Sequence, residues 1–134
     1  MRLGLDIGGT KIEAVVIDNA GEIVYRERCA TPKHRYSDFF QAVTEMIARA
    51  MQAINQPLSV GVGVPGAVDS EGLIKNSNIL VLNQQAFAQD LERALGMPVP
   101  VTNDANCFTL SEAMDGSGRG HSVVFGVILG TGCG

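Results

Sequence analysis

The sequence predicts an α/β fold, a mixed sheet of about five strands with helices on both faces. Two observations predict it. Three apolar, β-rich runs at 2–7, 11–18 and 22–29 follow one another across glycine turns. From residue 36 onward, apolar residues recur at helical spacing and then alternate with further short apolar runs.

Residues 2–7 show little alternation and read as a strand buried on both faces. Gly8-Gly9 turns it into a second strand, KIEAVVID at 11–18, and Asn19-Ala20-Gly21 forms a hairpin turn into a third, EIVYRERC at 22–29. These three make an antiparallel meander. Thr31-Pro32-Lys33 breaks the pattern. Tyr36, Phe39, Phe40, Val43, Met46, Ile47, Ala50, Met51 and Ile54 then recur at helical spacing and mark an amphipathic helix over 37–54, with Ser37 and Asp38 at its start. The Met and Phe stripe reads as core packing.

LSVGVGV at 58–64 is a buried strand ending at Pro65-Gly66, and 67–83 has mixed turn and extended character. A short helix at 84–95 closes at Gly96 with Pro98 beyond it, the usual order of stop signals. VPVTN at 99–103 is a strand, 105–115 a helix ended by Gly116-Ser117-Gly118, and HSVVFGVIL at 121–129 an apolar strand entering Gly130-Thr131-Gly132-Cys133-Gly134. The order is βββαβαβαβ. A glycine loop connects two elements, and here the chain stops inside one. The 134 residues are therefore expected to be a fragment, or one lobe, of a longer protein.

Composition narrows the function. Hydrophobic residues make up 46% and charged residues 18%, as in an ordinary globular chain. A net charge of −4 with no Lys/Arg run argues against nucleic acid and anionic membrane as partners. Asp6 and Lys11 interrupt the first apolar stretch, so no secretory signal is read there, and no apolar run is long enough to span a bilayer. Cys29, Cys107 and Cys133 are widely spaced and odd in number, which reads as reduced, mostly buried thiols in a cytoplasmic protein.

Four motifs carry chemistry. The first is D-I-G-G-T-K at 6–11. Glycine tolerates positive φ and leaves backbone amides uncovered, and successive amides in a bend make an anion-binding concavity. Gly8, Gly9, Thr10 and Lys11 are thus candidates to hold phosphate. Asp6 beside them would repel phosphate unless a divalent cation lies between, directly or through water; Mg²⁺ suits few carboxylates plus waters and phosphates. A Gly-Gly turn alone is an ordinary hairpin. The full string is more specific, and Gly130, Thr131 and Gly132 supply a second strand-to-glycine turn for the other side of a phosphate chain. Neither is a Walker A or Rossmann string.

The next is V-T-N-D-A-N at 101–106, where a strand gives way to a helix. Asp104 or Asn103 suits the N-cap there. The C-terminal edge of a parallel strand is also where α/β proteins bind ligands, and Asp104 could take the proton of a hydroxyl attacking a γ-phosphoryl group. Finally, G-V-P-G at 63–66 and N-S-N at 76–78, with Asn83, offer neutral donors and acceptors suited to a polyol, or simply a polar loop.

Together these motifs resemble the ROK family of sugar kinases, within the actin-like ATPase (ribonuclease H-like) superfamily, in the family's order and over essentially the whole chain. The resemblance implies an N-terminal sugar-kinase lobe at 1–120 and the start of a second lobe at 121–134, cut inside its phosphate loop. It implies transfer of the ATP γ-phosphoryl group, with Mg²⁺, to a hexose hydroxyl. Asp104 would be the general base, and the Gly8–Lys11 and Gly130–Gly132 turns the phosphate segments. Gly66, Ala67, Asn78, Asn103 and Asp104 would line the sugar cleft.

A zinc site would belong to the remaining lobe, the whole protein would be a homodimer, and this chain alone would be inactive. Fructose is the favoured sugar, because K-N-S-N…L-N and G-T-G-C-G resemble the bacterial fructokinase/mannokinase branch. The stretches T-P-K-H-R-Y-S-D-F-F and N-D-A-N-C-F equally resemble N-acetylglucosamine kinases, and a glucokinase is the further option. Val81 departs from the aromatic common in the fructokinase branch, and there is no Trp to stack on a sugar. A sugar-responsive transcriptional regulator is the alternative of another class.

Overall fold

The computed structural model describes residues 1–128. Its elements are β1 (Arg2–Ile7), β2 (Lys11–Ile17), β3 (Ile23–Ala30), α1 (Tyr36–Ile54), β4 (Ser59–Val64), β5 (Ala67–Val68), β6 (Ile74–Lys75), a 3₁₀ turn (Leu80–Leu82), α2 (Phe87–Leu95), β7 (Val101–Asn103) and α3 (Asp104–Met114). One five-stranded sheet has the order β3-β2-β1-β4-β7, and β5 and β6 form a separate hairpin. β1, β2 and β3 pair antiparallel; β1, β4 and β7 run parallel. The sheet is mixed, as the meander followed by alternating elements predicts.

β1 differs from its sequence reading. It alternates strictly, with Leu3, Leu5 and Ile7 buried and Arg2, Gly4 and Asp6 exposed. Gly4 counts as apolar in a sequence run, yet it has no side chain to bury. The buried face carries the core. Ile12, Ala14 and Val16 of β2 and Val60, Val62 and Val64 of β4 join Leu3, Leu5 and Ile7 there. Phe39, Val43, Met46, Ile47 and Ala50 of α1 cover them at i, i+4, i+7, i+8 and i+11 spacing, a single helical stripe.

Phe87 and Leu91 of α2 complete the same layer, with the Phe39 and Phe87 rings 5.5 Å apart between centroids. Burying each such large side chain stabilises by about 1.5–3 kcal/mol. The Tyr36 hydroxyl donates to Asp90 Oδ2 at 2.7 Å and ties α1 to α2. α3 lies on the opposite face, where β4 offers only small residues. A Cβ at Gly63 would stand 3.3 Å from Cys107 Sγ and 3.6 Å from the Asp104 Cα.

The strand expected at 99–103 is confined to 101–103, and two other predicted elements differ more. The helix expected from 84 begins at Phe87, because Gln84 adopts φ 64° and residues 84–85 bond both sides of Ile74. The Gln84 N–H donates to the Ile74 carbonyl at 2.8 Å, and the Ile74 N–H to the Gln85 carbonyl at 3.0 Å. The strand expected at 121–129 does not form over 121–128. A strand needs a partner backbone, and Val123 and Phe125 are 86% and 88% exposed with no ladder beside them among the described residues. Among the described residues no helix is long and apolar enough to cross a membrane.

Candidate functional site

The three parallel strands end at one edge of the sheet, and each end carries one of the sequence motifs. β1 delivers Asp6 and the Gly8–Thr10 bend, β4 delivers Pro65-Gly66, and β7 delivers Asn103 and Asp104. The register places Asp6 beside Gly63 and Gly63 beside Thr102. Neighbouring strands lie about 5 Å apart, so Asp6 and the end of β7 are about 10 Å apart through their backbones.

Side chains narrow that gap. Asp6 and Asp104 are close enough that the Asp104 charge acts on Asp6, and both act on Cys107. Partial desolvation, then Asp104 and Glu13, push the Asp6 pKa above the ordinary carboxyl value, while Lys11 opposes them. Desolvation first, then Asp104 and Asp6, push the Cys107 thiol up. Cys107 is exposed and Cys29 half-buried, both free thiols, so the expectation of mostly buried thiols does not hold for Cys107. Cys133 lies outside the described residues.

The Asp6 shift has a measurable consequence. A carboxyl whose pKa rises on folding holds its proton more tightly in the folded chain than in the unfolded one. Its ionisation therefore costs stability above the folded pKa, and that cost vanishes below the unfolded value of 3.8. In metal-free buffer Asp6→Asn is expected to raise the Tm at neutral pH, with the gain fading as the pH drops to about 3. A gain independent of pH, or a loss at neutral pH, would contradict this electrostatic assignment.

The bend itself corrects one sequence argument. Neither Gly8 nor Gly9 takes a positive φ. Space is the constraint at Gly8, where a Cβ would stand 3.1 Å from the Lys11 carbonyl oxygen. The Gly8 N–H donates to that carbonyl at 2.9 Å and closes the hairpin. The Gly9 and Thr10 N–H groups have no acceptor among the described residues. Two adjacent free amides at a loop mouth are what an anion needs. Lys11 follows at the exposed start of β2, and Asn78 lies over the bend, its amide 3.5 Å from where a Gly9 Cβ would be.

Asn103 is the N-cap of α3: its Oδ1 accepts from the Asn106 N–H at 3.2 Å, and its Nδ2 donates to the Gly66 carbonyl at 2.7 Å. That side chain thus joins two loops of the site, which gives it structural work besides the sugar contact the sequence resemblance implies. Asp104 is the first residue of α3 and half-buried; its Oδ1 accepts from the Ala105 N–H at 2.8 Å, which leaves Oδ2 without a protein donor among the described residues. Gly66 sits at φ 99° against Lys75 and Ser77, and Ala67 begins the exposed β5.

The polar loop divides by role. Asn83 accepts from the Ser77 N–H and donates to the Ser77 carbonyl, and the Ser77 hydroxyl accepts from the Ile79 N–H. Asn83 and Ser77 therefore hold the loop, whereas Asn78 stays exposed with its amide unengaged among the described residues. Thr31 belongs to none of the four sequence motifs. This buried residue donates its hydroxyl to the Gly8 carbonyl at 2.7 Å and its N–H to the Thr10 carbonyl at 3.1 Å. The one local signal was Thr31-Pro32 closing the third strand. Gly130, Thr131 and Gly132 lie outside the described residues.

Mg²⁺ is the cation that the sequence resemblance implies beside Asp6. The residues fit it in a limited sense. Among the described residues the Asp6 carboxylate is engaged by no hydrogen bond, and a second carboxylate, Asp104, lies near. Among the same residues no three His, Cys, Asp or Glu gather into a closed metal cage. A hard cation that keeps its waters and takes phosphate oxygens needs only one or two such groups.

The fold is α/β, and a parallel-strand edge with a glycine bend and an acid at a helix start is where folds of this class commonly place ligands. The ROK family model matches residues 2–134, and the chain belongs to that family. It is 44% identical over 134 residues to an N-acetylgalactosamine kinase of Shewanella sp. (strain ANA-3), covering 100% of this chain and 44% of that protein. It is likewise 44% identical over 135 residues to an N-acetyl-D-glucosamine kinase of Histophilus somni, covering 100% of this chain and 44% of that protein.

Among solved structures, a ROK family glucokinase from Streptomyces griseus in complex with glucose and AMPPNP superposes with a TM-score of 0.81. It is 32% identical, with 99% of this chain and 42% of that one covered. The chain spans less than half the length of these relatives.

Proposed function

We propose that this chain is the catalytic-base and first-phosphate lobe of an ATP-dependent sugar kinase acting on an N-acetylhexosamine. The observation that carries the reading is the convergence of Asp104, Asp6 and the free Gly9 and Thr10 amides at one edge of the sheet. The similarity to kinases of N-acetylglucosamine and N-acetylgalactosamine supports the sugar class. It favours the N-acetylglucosamine alternative over the fructose expected first.

In this reading the Asp104 carboxylate takes the proton of the sugar hydroxyl as that oxygen bonds to the γ-phosphorus of ATP. The bond from that phosphorus to the β–γ bridging oxygen breaks, and ADP leaves. The Gly9 and Thr10 amides hold phosphate oxygens. Asn78 above the bend supplies both a donor and an acceptor to the sugar. Asp6 would hold Mg²⁺, which supplies neutralising charge to the phosphates.

A panel of N-acetylglucosamine, N-acetylgalactosamine, glucose, mannose and fructose, assayed with ATP and the full-length gene product, tests the reading. An N-acetylhexosamine is expected to give a kcat/KM at least about tenfold above fructose, about 1.4 kcal/mol of discrimination. Preference for fructose would reverse the sugar assignment. No ATP-dependent turnover on any sugar would remove the kinase reading itself.

A further inference from the structure

We infer that Thr31 is a positioning residue whose buried hydroxyl aims the Gly9 amide at the bound phosphate. The inference rests on the phosphate-binding reading of the bend.

Thr31 directly follows β3 and is 6% exposed. Its side chain crosses from the third strand to the first hairpin, where its Oγ1 donates to the Gly8 carbonyl at 2.7 Å. The Gly8–Gly9 peptide is trans, as are all the described bonds. In a planar trans peptide the carbonyl of one residue and the N–H of the next point in opposite directions. Holding the Gly8 oxygen toward Thr31 therefore turns the Gly9 N–H away from it, to the open side of the bend. That N–H has no acceptor among the described residues.

Such a hold is needed because both flanking residues are glycines. A peptide between two glycines meets little steric resistance to rotation. Flipped, it would present the Gly8 carbonyl oxygen where the Gly9 N–H now stands, and a phosphate would meet a partial negative charge. The other two anchors of the bend, Gly8 N–H to the Lys11 carbonyl and Thr31 N–H to the Thr10 carbonyl, fix neighbouring peptide planes and not this one. The Thr31 hydroxyl is the only side-chain donor on that plane among the described residues.

Thr31→Val keeps the shape and removes the donor; Thr31→Ser keeps the donor. In the full-length gene product, Thr31→Val is expected to raise the KM for ATP about fivefold, the usual worth of one such hydrogen bond. The KM for the sugar should stay within about twofold, and Thr31→Ser should restore the ATP value to within about twofold. A second readout needs no activity. ¹⁵N relaxation dispersion at Gly9 should be quiet in the wild type and in Thr31→Ser, and show millisecond exchange in Thr31→Val.

Exchange at Gly9 in Thr31→Val supports the hold even if the protein phosphorylates no sugar, in which case the kinase reading fails and the positioning role stands. A quiet Gly9 in Thr31→Val, equal rises in both KM values, or no recovery in Thr31→Ser would overturn it.

Discussion

Asp104→Asn is expected to lower kcat of the full-length protein by about 10²- to 10⁴-fold, the usual contribution of a positioned general base. The substitution is chosen to isolate the proton. An amide oxygen can still accept from the Ala105 N–H, as Asp104 Oδ1 does at 2.8 Å, so the start of α3 keeps its local bond. Asn103 remains the N-cap. What is lost is a carboxylate Oδ2 able to take a proton from the attacking hydroxyl. The KM for ATP should stay within about threefold, because Asp104 accepts a proton and holds no phosphate in this account. Steady-state kinetics with a coupled ADP-release assay measures both. Turnover within about tenfold of the wild type would remove Asp104 as base.

The largest effect on stability is expected at Gly66. Its φ of 99° lies where side chains are rarely tolerated, and an added Cβ would stand 2.5 Å from the Lys75 carbonyl oxygen and 2.9 Å from the Ser77 nitrogen. Both neighbours are backbone, Lys75 in the β5–β6 hairpin and Ser77 in the loop that Asn83 clamps, so neither can move cheaply. Backbone strain at such a position costs about 1–3 kcal/mol, and the clash adds to it.

Gly66→Ala is therefore expected to cost at least about 3 kcal/mol, or a Tm drop of about 10 °C. Gly4→Ala is the control, since a Cβ there would meet nothing within 4 Å and the expected change is under about 0.5 kcal/mol. Thermal melts of the two variants decide the point. Equal, small changes would mean that the turn at Gly66 is looser than its contacts require. Because the Gly66 carbonyl accepts from Asn103, loss of this turn should also loosen the residue preceding Asp104.

Local signals carried much of the fold. Gly96 ends α2 in the left-handed conformation its position implies, and Asn103 caps α3 with its own side chain. The meander follows from turns such as Asp18–Glu22, where Asp18 Oδ1 accepts from the Ala20 and Glu22 N–H groups. Long-range pairing escaped the sequence. Gln84 and Gln85 have helical neighbours but are drawn out of the helix by Ile74, about ten residues earlier. The segment at 121–128 has a strand's composition but no partner among the described residues, and composition cannot supply one.

The candidate site was legible in part. Asp6, the glycine bend and Asp104 announced themselves because unusual residues sat at strand ends. Thr31 did not, because its work is a side-chain bond across 23 positions to Gly8. Asn83 looked like a ligand for a polyol and is a clamp on Ser77, a distinction that only the folded loop reveals.

In the proposed kinase, free amides at the first bend and the acid at the start of α3 face one ligand space. A crystal structure of the full-length protein with a non-hydrolysable ATP analogue and N-acetylglucosamine measures it directly. Phosphate oxygens are expected to accept from the Gly9 and Thr10 N–H groups, with a sugar hydroxyl within about 3 Å of the Asp104 carboxylate. Phosphates bound away from that bend, or a sugar whose hydroxyls all lie beyond reach of Asp104, would contradict it.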